Sequence, residues 1–222
     1  VALWTAAVSL AISSELILRT ATQTGLWAFI ATIFAVVSHR MIPFFGASAV
    51  PFLDAWRPMW LLWVMVTVMW LEAAFSAAEL WYGPFSTAMR WGQVAVELPA
   101  SLLLIGLAIR WGLVQSLKIR LIAMLHGGFA WLGISVVLKA MSHTLMALTD
   151  GAHSLGLAPL HAMTMGYLGA TMFAMTTRVS SGHGGRAVAA DDVAWALYWV
   201  LQSAVLLRVI AAIWPTVSTL FT

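Results

Sequence analysis

Apolar residues occur along this chain in long runs that few charged residues interrupt. A run of about 18 or more such residues is long enough to cross the hydrocarbon core of a bilayer as an α-helix. The pattern predicts about seven spans (six to seven), of which the second is the shortest, because its apolar run ends near His39. The predicted spans cover residues 1–18, 26–39, 58–80, 94–111, 121–141, 160–177 and 188–213. The predicted fold is therefore an all-α, polytopic transmembrane helical bundle.

Composition strengthens this prediction. Hydrophobic residues make up 62% of the 222 residues and charged residues only 9%, whereas a soluble domain typically has about 25% charged residues. So few charges cannot cover a water-facing surface. The chain contains no cysteine, which excludes disulfides, iron–sulfur clusters and thiolate ligands, so a bound metal would need histidine, methionine or carboxylate ligands.

Charged residues divide unequally between the predicted loops. The second, fourth and sixth loops hold Arg40, Arg57, Arg110, Lys118, Arg120, Arg178 and Arg186, and the alternate loops hold only Arg19, Arg90 and Lys139. By the positive-inside rule, the more basic loops lie in the cytoplasm. The outer ends of the spans hold Glu15, Glu72, Glu79, Glu97, His143, Asp150, His153 and His161. The net charge of +3 follows from membrane topology and does not indicate a nucleic-acid partner.

Several tryptophans lie at or near predicted span ends, as expected of an interfacial aromatic belt. They are Trp56, Trp60, Trp81, Trp91, Trp111 and Trp214. Two glutamates, Glu72 and Glu97, fall in or near apolar spans, where a carboxylate should face the bundle interior and join a proton path or a metal shell. An interfacial position is the alternative for Glu97. Arg208 lies deep in the last span and is a candidate ion-pair partner for an outer glutamate.

The histidines are the main candidates for cofactor chemistry, because neutral imidazole is the commonest metal ligand. His126 lies in LHGGFAWLG, where small residues admit either a flat macrocycle or a neighbouring helix. His161 opens the sixth span, in which Gly166, Ala170 and Ala174 form a stripe typical of helix packing. For both histidines, a structural hydrogen bond is the alternative to a ligand role. His143 and His153 fall in a predicted loop and are the weakest candidates.

The glycine-rich segment SSGHGGR contains a third candidate ligand, His183. Arg178 and Arg186 flank the segment and could pair with carboxylates or haem propionates, although ordinary topology is favoured for Arg186. His39 and Arg40 close the second predicted span, where an interfacial anchor is the alternative role. The phosphate-binding GK[ST] signature and the motifs of hydrolases and dinucleotide enzymes are missing, so an enzyme of this sequence would work through a cofactor.

Three segments are recognisable together: HRMIPFF at 39–45, LHGGFAWLG at 125–133, and HAMTMGYLGATMFAMTTRVSSGHGGR at 161–186. They resemble the NnrS family of bacterial membrane proteins, and their order and spacing resemble the carboxyl-terminal part of that family. The third segment is the most specific of them.

The resemblance implies a multi-span protein of the bacterial inner membrane that contains haem, expected to be b-type, with copper as a further candidate metal. It implies an association with nitric oxide stress and denitrification, in a redox or nitric-oxide-handling role. The expected cofactor-binding residues are His126, His161, His183, Arg178 and Arg40, and the three histidines are the candidate metal ligands. The expected partners are the lipid bilayer, haem and nitric oxide.

Family members are usually longer than this chain. Residues 1–222 are therefore expected to form one transmembrane helical domain, the carboxyl-terminal part of a longer architecture, with an amino-terminal half or other membrane subunits as further partners. The alternative from a different functional class is a non-enzymatic transporter or assembly component, in which buried glutamates and histidines carry protons or substrate. Transporters often contain internal repeats, and the sequence shows no convincing repeat.

Overall fold

A computed structural model describes residues 14–49, 54–183 and 189–220 and, before them, Val8. Within these ranges the chain forms six helices and no strands. The helices are α1 at 15–49, α2 at Met59–Tyr82, α3 at Thr87–Arg110, α4 at Arg120–Leu148, α5 at 158–183 and α6 at Asp192–Leu220. A short 3₁₀ turn, Gln115–Lys118, lies between α3 and α4. The predicted all-α fold is confirmed.

Five of these helices are long and apolar enough to cross a membrane: α1, α2, α3, α4 and α6. The predicted count of about seven spans is not confirmed. The main difference is in α1, because residues 15–49 form a continuous helix where the sequence predicted a loop between two spans. Most of the first predicted span lies outside the described residues.

The polar residues of that predicted loop are satisfied inside the helix. Arg19 pairs with Glu15 one turn earlier, at 2.6 Å. The hydroxyls of Thr20, Thr22 and Thr24 each donate to the carbonyl oxygen four residues before, a bond that threonine commonly forms within helices. The segment therefore stays helical despite its polarity.

Two helices contain π-helical segments, Gly25–Ala31 in α1 and Ala162–Gly169 in α5. Such segments are rare and often occur at functional sites. Each holds a buried aromatic residue, Trp27 in α1 and Tyr167 in α5. The Tyr167 hydroxyl lies 3.0 Å from the hydroxyl of Ser38 in the bundle core.

The most buried of the five candidate spans is α4, and the least buried is α6. Glycines allow α5 to approach α4 closely. A Cβ atom added to Gly128 would lie 2.6 Å from Thr171 Oγ1, and one added to Gly166 would lie 2.6 Å from Trp131 Cγ. The small residues beside His126 and in α5 therefore accommodate a neighbouring helix.

Successive helices run in opposite directions, so the bundle has two chemically different ends. We call the end that holds Arg40, Arg57, Arg110, Lys118, Arg120 and Arg178 the inner end, because the positive-inside rule predicts that it faces the cytoplasm. Here His39 Nε2 lies 3.1 Å from the carbonyl oxygen of Pro58, which links α1 to the start of α2. At the opposite, outer end Trp81 donates to Thr20 at 3.0 Å.

Candidate functional site

The three segments that resemble the NnrS family, 39–45, 125–133 and 161–186, meet at the inner end. The Arg178 guanidinium of the third segment lies over the ring of Phe45 in the first, 3.7 Å from its centroid. Both side chains also border a narrow gap together with Leu125 of the second segment. Residues that are far apart in sequence therefore form one neighbourhood.

Trp111 connects this neighbourhood to the bundle core. Its indole N–H donates to the Trp56 carbonyl at 3.1 Å, and its ring centroid lies 5.0 Å from that of Phe129 and 6.3 Å from that of His39. Only 1% of Trp111 is exposed. The sequence placed Trp111 near a span end, as part of an aromatic belt. It does lie at the end of α3, but it packs inside the bundle and so does not form part of an exposed belt.

His126 is fully buried, and both of its ring nitrogens have backbone partners. Nδ1 lies 3.0 Å from the Ile122 carbonyl oxygen and Nε2 lies 2.9 Å from the Trp111 carbonyl oxygen. A neutral imidazole carries one N–H, so it can donate only one of these two bonds. In this conformation neither nitrogen is directed to a cofactor. To act as a ligand, His126 would have to lose its contact with one of these two carbonyl oxygens.

His183, at the end of α5, has a different environment. It is exposed, and it lines a cleft of about 370 Å³ together with Arg178, Met41 and Met175. Its Nδ1 lies 3.0 Å from the Val179 carbonyl oxygen, and none of the described residues hydrogen-bonds its Nε2. Metal-bound histidines usually hold one nitrogen in such a bond and ligate through the other. This cleft fits an added group better than the surroundings of His126.

The remaining predicted site residues lie apart from one another. Arg40 is exposed at the inner end, and His161 is half-buried at the outer start of α5. Since Gly128 packs beside Thr171 of the antiparallel α5, we place His161 roughly 18 Å from His126 along the helix axes, at 1.5 Å per residue. Within the described ranges, no group of three or more His, Cys, Asp or Glu residues is arranged to hold a metal.

A second candidate site lies in the outer half of the bundle, where buried ionisable side chains form a polar ladder. We use this name for Glu72 and Glu79 of α2, Arg90, Gln93 and Glu97 of α3, and Lys139 and His143 of α4. Arg90 pairs with Glu79 at 2.8 Å, His143 Nδ1 lies 2.8 Å from Glu97 Oε2, and Lys139 pairs with Glu72.

Helical spacing explains why these residues face one another. Glu72 and Glu79 are seven residues apart, and Lys139 and His143 are four apart, so each pair lies on one face of its helix. Glu72 and Glu97 each lie ten residues from the outer end of their helix, a depth of about 15 Å. The ladder therefore reaches about half-way through a hydrocarbon core of roughly 30 Å.

Several of these positions differ from the sequence predictions. Arg90, Lys139 and His143 were expected in loops, but they lie inside α3 and α4. Their charges are tolerated there because each meets a glutamate. Glu72 and Glu97 face the interior as predicted, with no exposed surface. The candidate partner Arg208 is exposed on α6, and no ion pair joins it to another described residue.

A cavity of about 370 Å³ runs beside the ladder. Its lining extends from Ser154 in the outer loop to Lys139 and His143, and includes Ser76 and Trp27. The Lys139 ammonium lies 4.6 Å from the centroid of the Trp27 ring, within the range of a cation–π interaction. The π-helical segment of α1 thus supplies one wall of the cavity.

Some buried polar atoms of the ladder have no hydrogen-bond partner among the described residues. They are Glu72 Oε1, Glu97 Oε1, Gln93 Oε1 and Arg90 Nη1. Buried polar groups in proteins are normally satisfied by protein or by ordered water. The ladder is therefore a place where water or an exchangeable ligand is expected.

The chain was also compared with known proteins. A family model described as NnrS protein matches residues 1–222, the whole chain. Searches among curated proteins and among solved structures each found no match. The family match includes the three segments that meet at the inner end as well as the helices that carry the polar ladder. The chain therefore belongs to the NnrS family.

Proposed function

We propose that this chain is a bacterial inner-membrane protein of the nitric oxide response that binds haem at its inner end. Membership of the NnrS family and the helices suited to a membrane support this proposal. The observation that carries it is the cleft at His183, where a histidine whose Nε2 has no hydrogen-bond partner among the described residues lies beside an arginine and two methionines.

The residues of this cleft suit the parts of a haem. His183 would ligate iron through Nε2 while the Val179 carbonyl holds Nδ1 and fixes the ring. Arg178 would pair with a propionate, for which guanidinium geometry is well suited. Met41 and Met175 would cover the apolar edge of the macrocycle. Haem iron, when bound, would supply the binding or redox chemistry for nitric oxide.

At about 370 Å³, the cleft lies at the low end of small-molecule sites, which typically measure about 300–1,000 Å³, so it would cover a haem only in part. Copper is a further candidate for the same cleft, because imidazole and thioether groups are ligands that copper(I) accepts. His126 and His161 remain candidate ligands in this proposal, each for a separate site, given the distance between them.

A second candidate function is a transporter or assembly component that moves protons or substrate without catalysis. The polar ladder supports this candidate, because ionisable residues buried in membrane helices often line ion pathways. The presence or absence of haem in the purified protein separates the two functions.

Absorbance spectroscopy of the detergent-purified chain tests the haem proposal. We expect a Soret band in the unaltered protein and a loss of most of it in His183→Ala, whereas His153→Ala, a matched change in the outer loop, should retain it. Arg178→Ala should weaken haem retention more than Arg186→Ala does. A normal Soret band in His183→Ala would exclude this cleft, and the absence of haem from the unaltered protein would favour the second function.

A further inference from the structure

We propose that the outer half of the bundle is a proton-entry path that ends at a proton-binding pair, Glu97 and His143, near the middle of the membrane. The inference uses only residues of the polar ladder and the adjoining cavity, and it does not depend on haem at the inner end. It assigns a ligand, the proton, to side chains that the family match leaves without a role.

The charges of the ladder identify the pair. Glu79 has Arg90 as its cationic partner, and Glu72 has Lys139. Among the described residues, the third glutamate, Glu97, pairs only with His143, at 2.8 Å. Arginine and lysine are ordinarily charged, but histidine gains and loses a proton near neutral pH. The Glu97–His143 pair therefore has no net charge only when one proton is added to the carboxylate and the neutral imidazole.

Burial makes that proton necessary. Glu97 has no exposed surface, and the His143 side chain is 9% exposed. A lone buried carboxylate is costly, because the membrane interior cannot solvate it. A carboxylic acid beside neutral imidazole and a carboxylate beside imidazolium both avoid that cost, and both contain the same single proton. The pair thus binds a proton that can move between Oε2 and Nδ1.

Among the described residues, His143 is the ion-pair partner of Glu97. The other titratable groups nearby are Glu72 and Glu79 of α2, Arg90 of α3 and Lys139 of α4, and they pair with one another. Glu72 lies close enough to interact electrostatically with Glu97 and His143, but Lys139 balances its charge. The other cavity-lining residues of α1 and of the start of α5 carry no charge: Gln23, Trp27, Leu157, Pro159 and Leu160.

The cavity provides the route from the outer surface to the pair. It is lined by Ser154 at its outer end, and it passes His143 to reach Lys139, one helical turn deeper in α4. A volume of about 370 Å³ holds several waters, since each takes up about 30 Å³ in the liquid.

The transfer balances without a further reactant. An excess proton that the cavity waters relay from the outer side binds to His143 Nε2, which no described residue hydrogen-bonds, and the resulting imidazolium donates its Nδ1 proton to Glu97 Oε2. This leaves a carboxylic acid and a neutral imidazole in its other tautomer. The reverse steps return the proton to water, so the pair exchanges protons with the outer side.

Infrared difference spectroscopy between acidic and alkaline buffer tests the proton-binding pair. In the unaltered protein we expect one exchangeable proton, seen as a carboxylic acid or imidazolium signal that shifts in heavy water. Glu97→Gln should abolish this signal. His143→Gln should convert it entirely to a carboxylic acid signal, because Glu97 is then the remaining acceptor. Glu15→Gln, an exposed glutamate outside the ladder, is the control and should change neither signal.

Persistence of the signal in Glu97→Gln, or its complete loss in His143→Gln protein that is still folded, would overturn the assignment. A signal that responds to sodium at constant pH would also overturn it, in favour of a cation site. A merely structural pair would show no titration, whereas the proposed pair must show it.

Cysteine accessibility tests the entry path without altering the ladder. Because the chain has no native cysteine, an introduced thiol is the only one present. We expect a membrane-impermeant thiol reagent to label Ser76→Cys, which lines the cavity, from the outer side of the membrane, and to leave Ser135→Cys unlabelled. Ser135 is a suitable control because it lies deeper in α4 and is 1% exposed. Labelling of Ser76→Cys from the inner side alone, or no labelling, would exclude the outer path.

Discussion

The inner end and the outer half of the bundle satisfy their buried polar groups in opposite ways. At the inner end, His126 and Trp111 use backbone carbonyls as partners. In the outer half, Lys139 and His143 meet carboxylates across helices. Backbone partners have fixed charge and position, whereas carboxylates can gain a proton. The inner contacts are therefore suited to holding the fold, and the outer contacts to exchanging protons.

The two regions also differ in how tightly they are packed and in how open they are to water. At the inner end, Trp111 and His126 are tightly packed and almost fully buried. The open cleft of this end lies at the periphery of the bundle, beside His183. The outer polar groups border a cavity that reaches the loop at Ser154. Removal of a polar group should consequently have different effects in the two regions, chiefly on stability at the inner end and on both stability and protonation in the outer half.

The largest effect is expected from Lys139→Ala, because Glu72 would be left buried without its cation. Loss of one partner of a buried ion pair costs about 3–5 kcal/mol. The free energy of unfolding, measured in detergent, should fall by that amount. The double variant Lys139→Met with Glu72→Gln should recover most of the loss, because it removes both charges. Unchanged stability of Lys139→Ala would show that Glu72 is already neutral or solvated.

A smaller effect is expected from His126→Ala at the inner end. The change leaves one carbonyl, that of Trp111 or that of Ile122, without its imidazole donor and opens space in a packed core. An unsatisfied buried group alone costs about 1–3 kcal/mol. We expect a lower melting temperature with haem content per folded molecule retained. This outcome contrasts with His183→Ala, which should lose haem with little change in stability. Loss of haem from stable His126→Ala protein would instead identify His126 as a ligand.

The same contrast shows what the sequence could predict. Apolar runs located the cores of α2, α4 and α6 closely, since hydrophobicity is what a membrane requires of a helix. The runs failed at helix ends that carry polar residues: α3 begins at Thr87, before Arg90, and α4 continues to Leu148, past His143, although the pattern assigned both residues to loops. A charge ends an apolar run whether or not it has a partner in the folded protein.

The candidate sites show the same limit. Sequence alone identified His183 and Arg178 as neighbours, because they are five positions apart in one segment. It also predicted that Glu72 and Glu97 face the interior. It could not pair Glu97 with His143, because the two are 46 positions apart and the pairing depends on the register between α3 and α4. The π-helical segment that places Trp27 against Lys139 has no sequence signature of its own.

The smallest effect is expected from Trp111→Phe, which removes one hydrogen bond at the inner end and keeps an aromatic ring. It therefore tests whether the inner end and the outer half are independent. The Trp111 indole donates to the Trp56 carbonyl at 3.1 Å, and a typical hydrogen bond contributes about 0.5–1.5 kcal/mol. Since Trp111 also supplies a carbonyl to His126 through its backbone, that contact should survive the substitution. We therefore expect a loss of about 1 kcal/mol in the free energy of unfolding and an unchanged Glu97–His143 titration.

Trp91→Phe, at an exposed tryptophan near the outer end, is the control for loss of an indole and should cost less. An altered titration in Trp111→Phe would mean that the inner packing and the outer ladder are coupled through α3 and α4, and the division between a structural end and a proton-exchanging half would then be wrong.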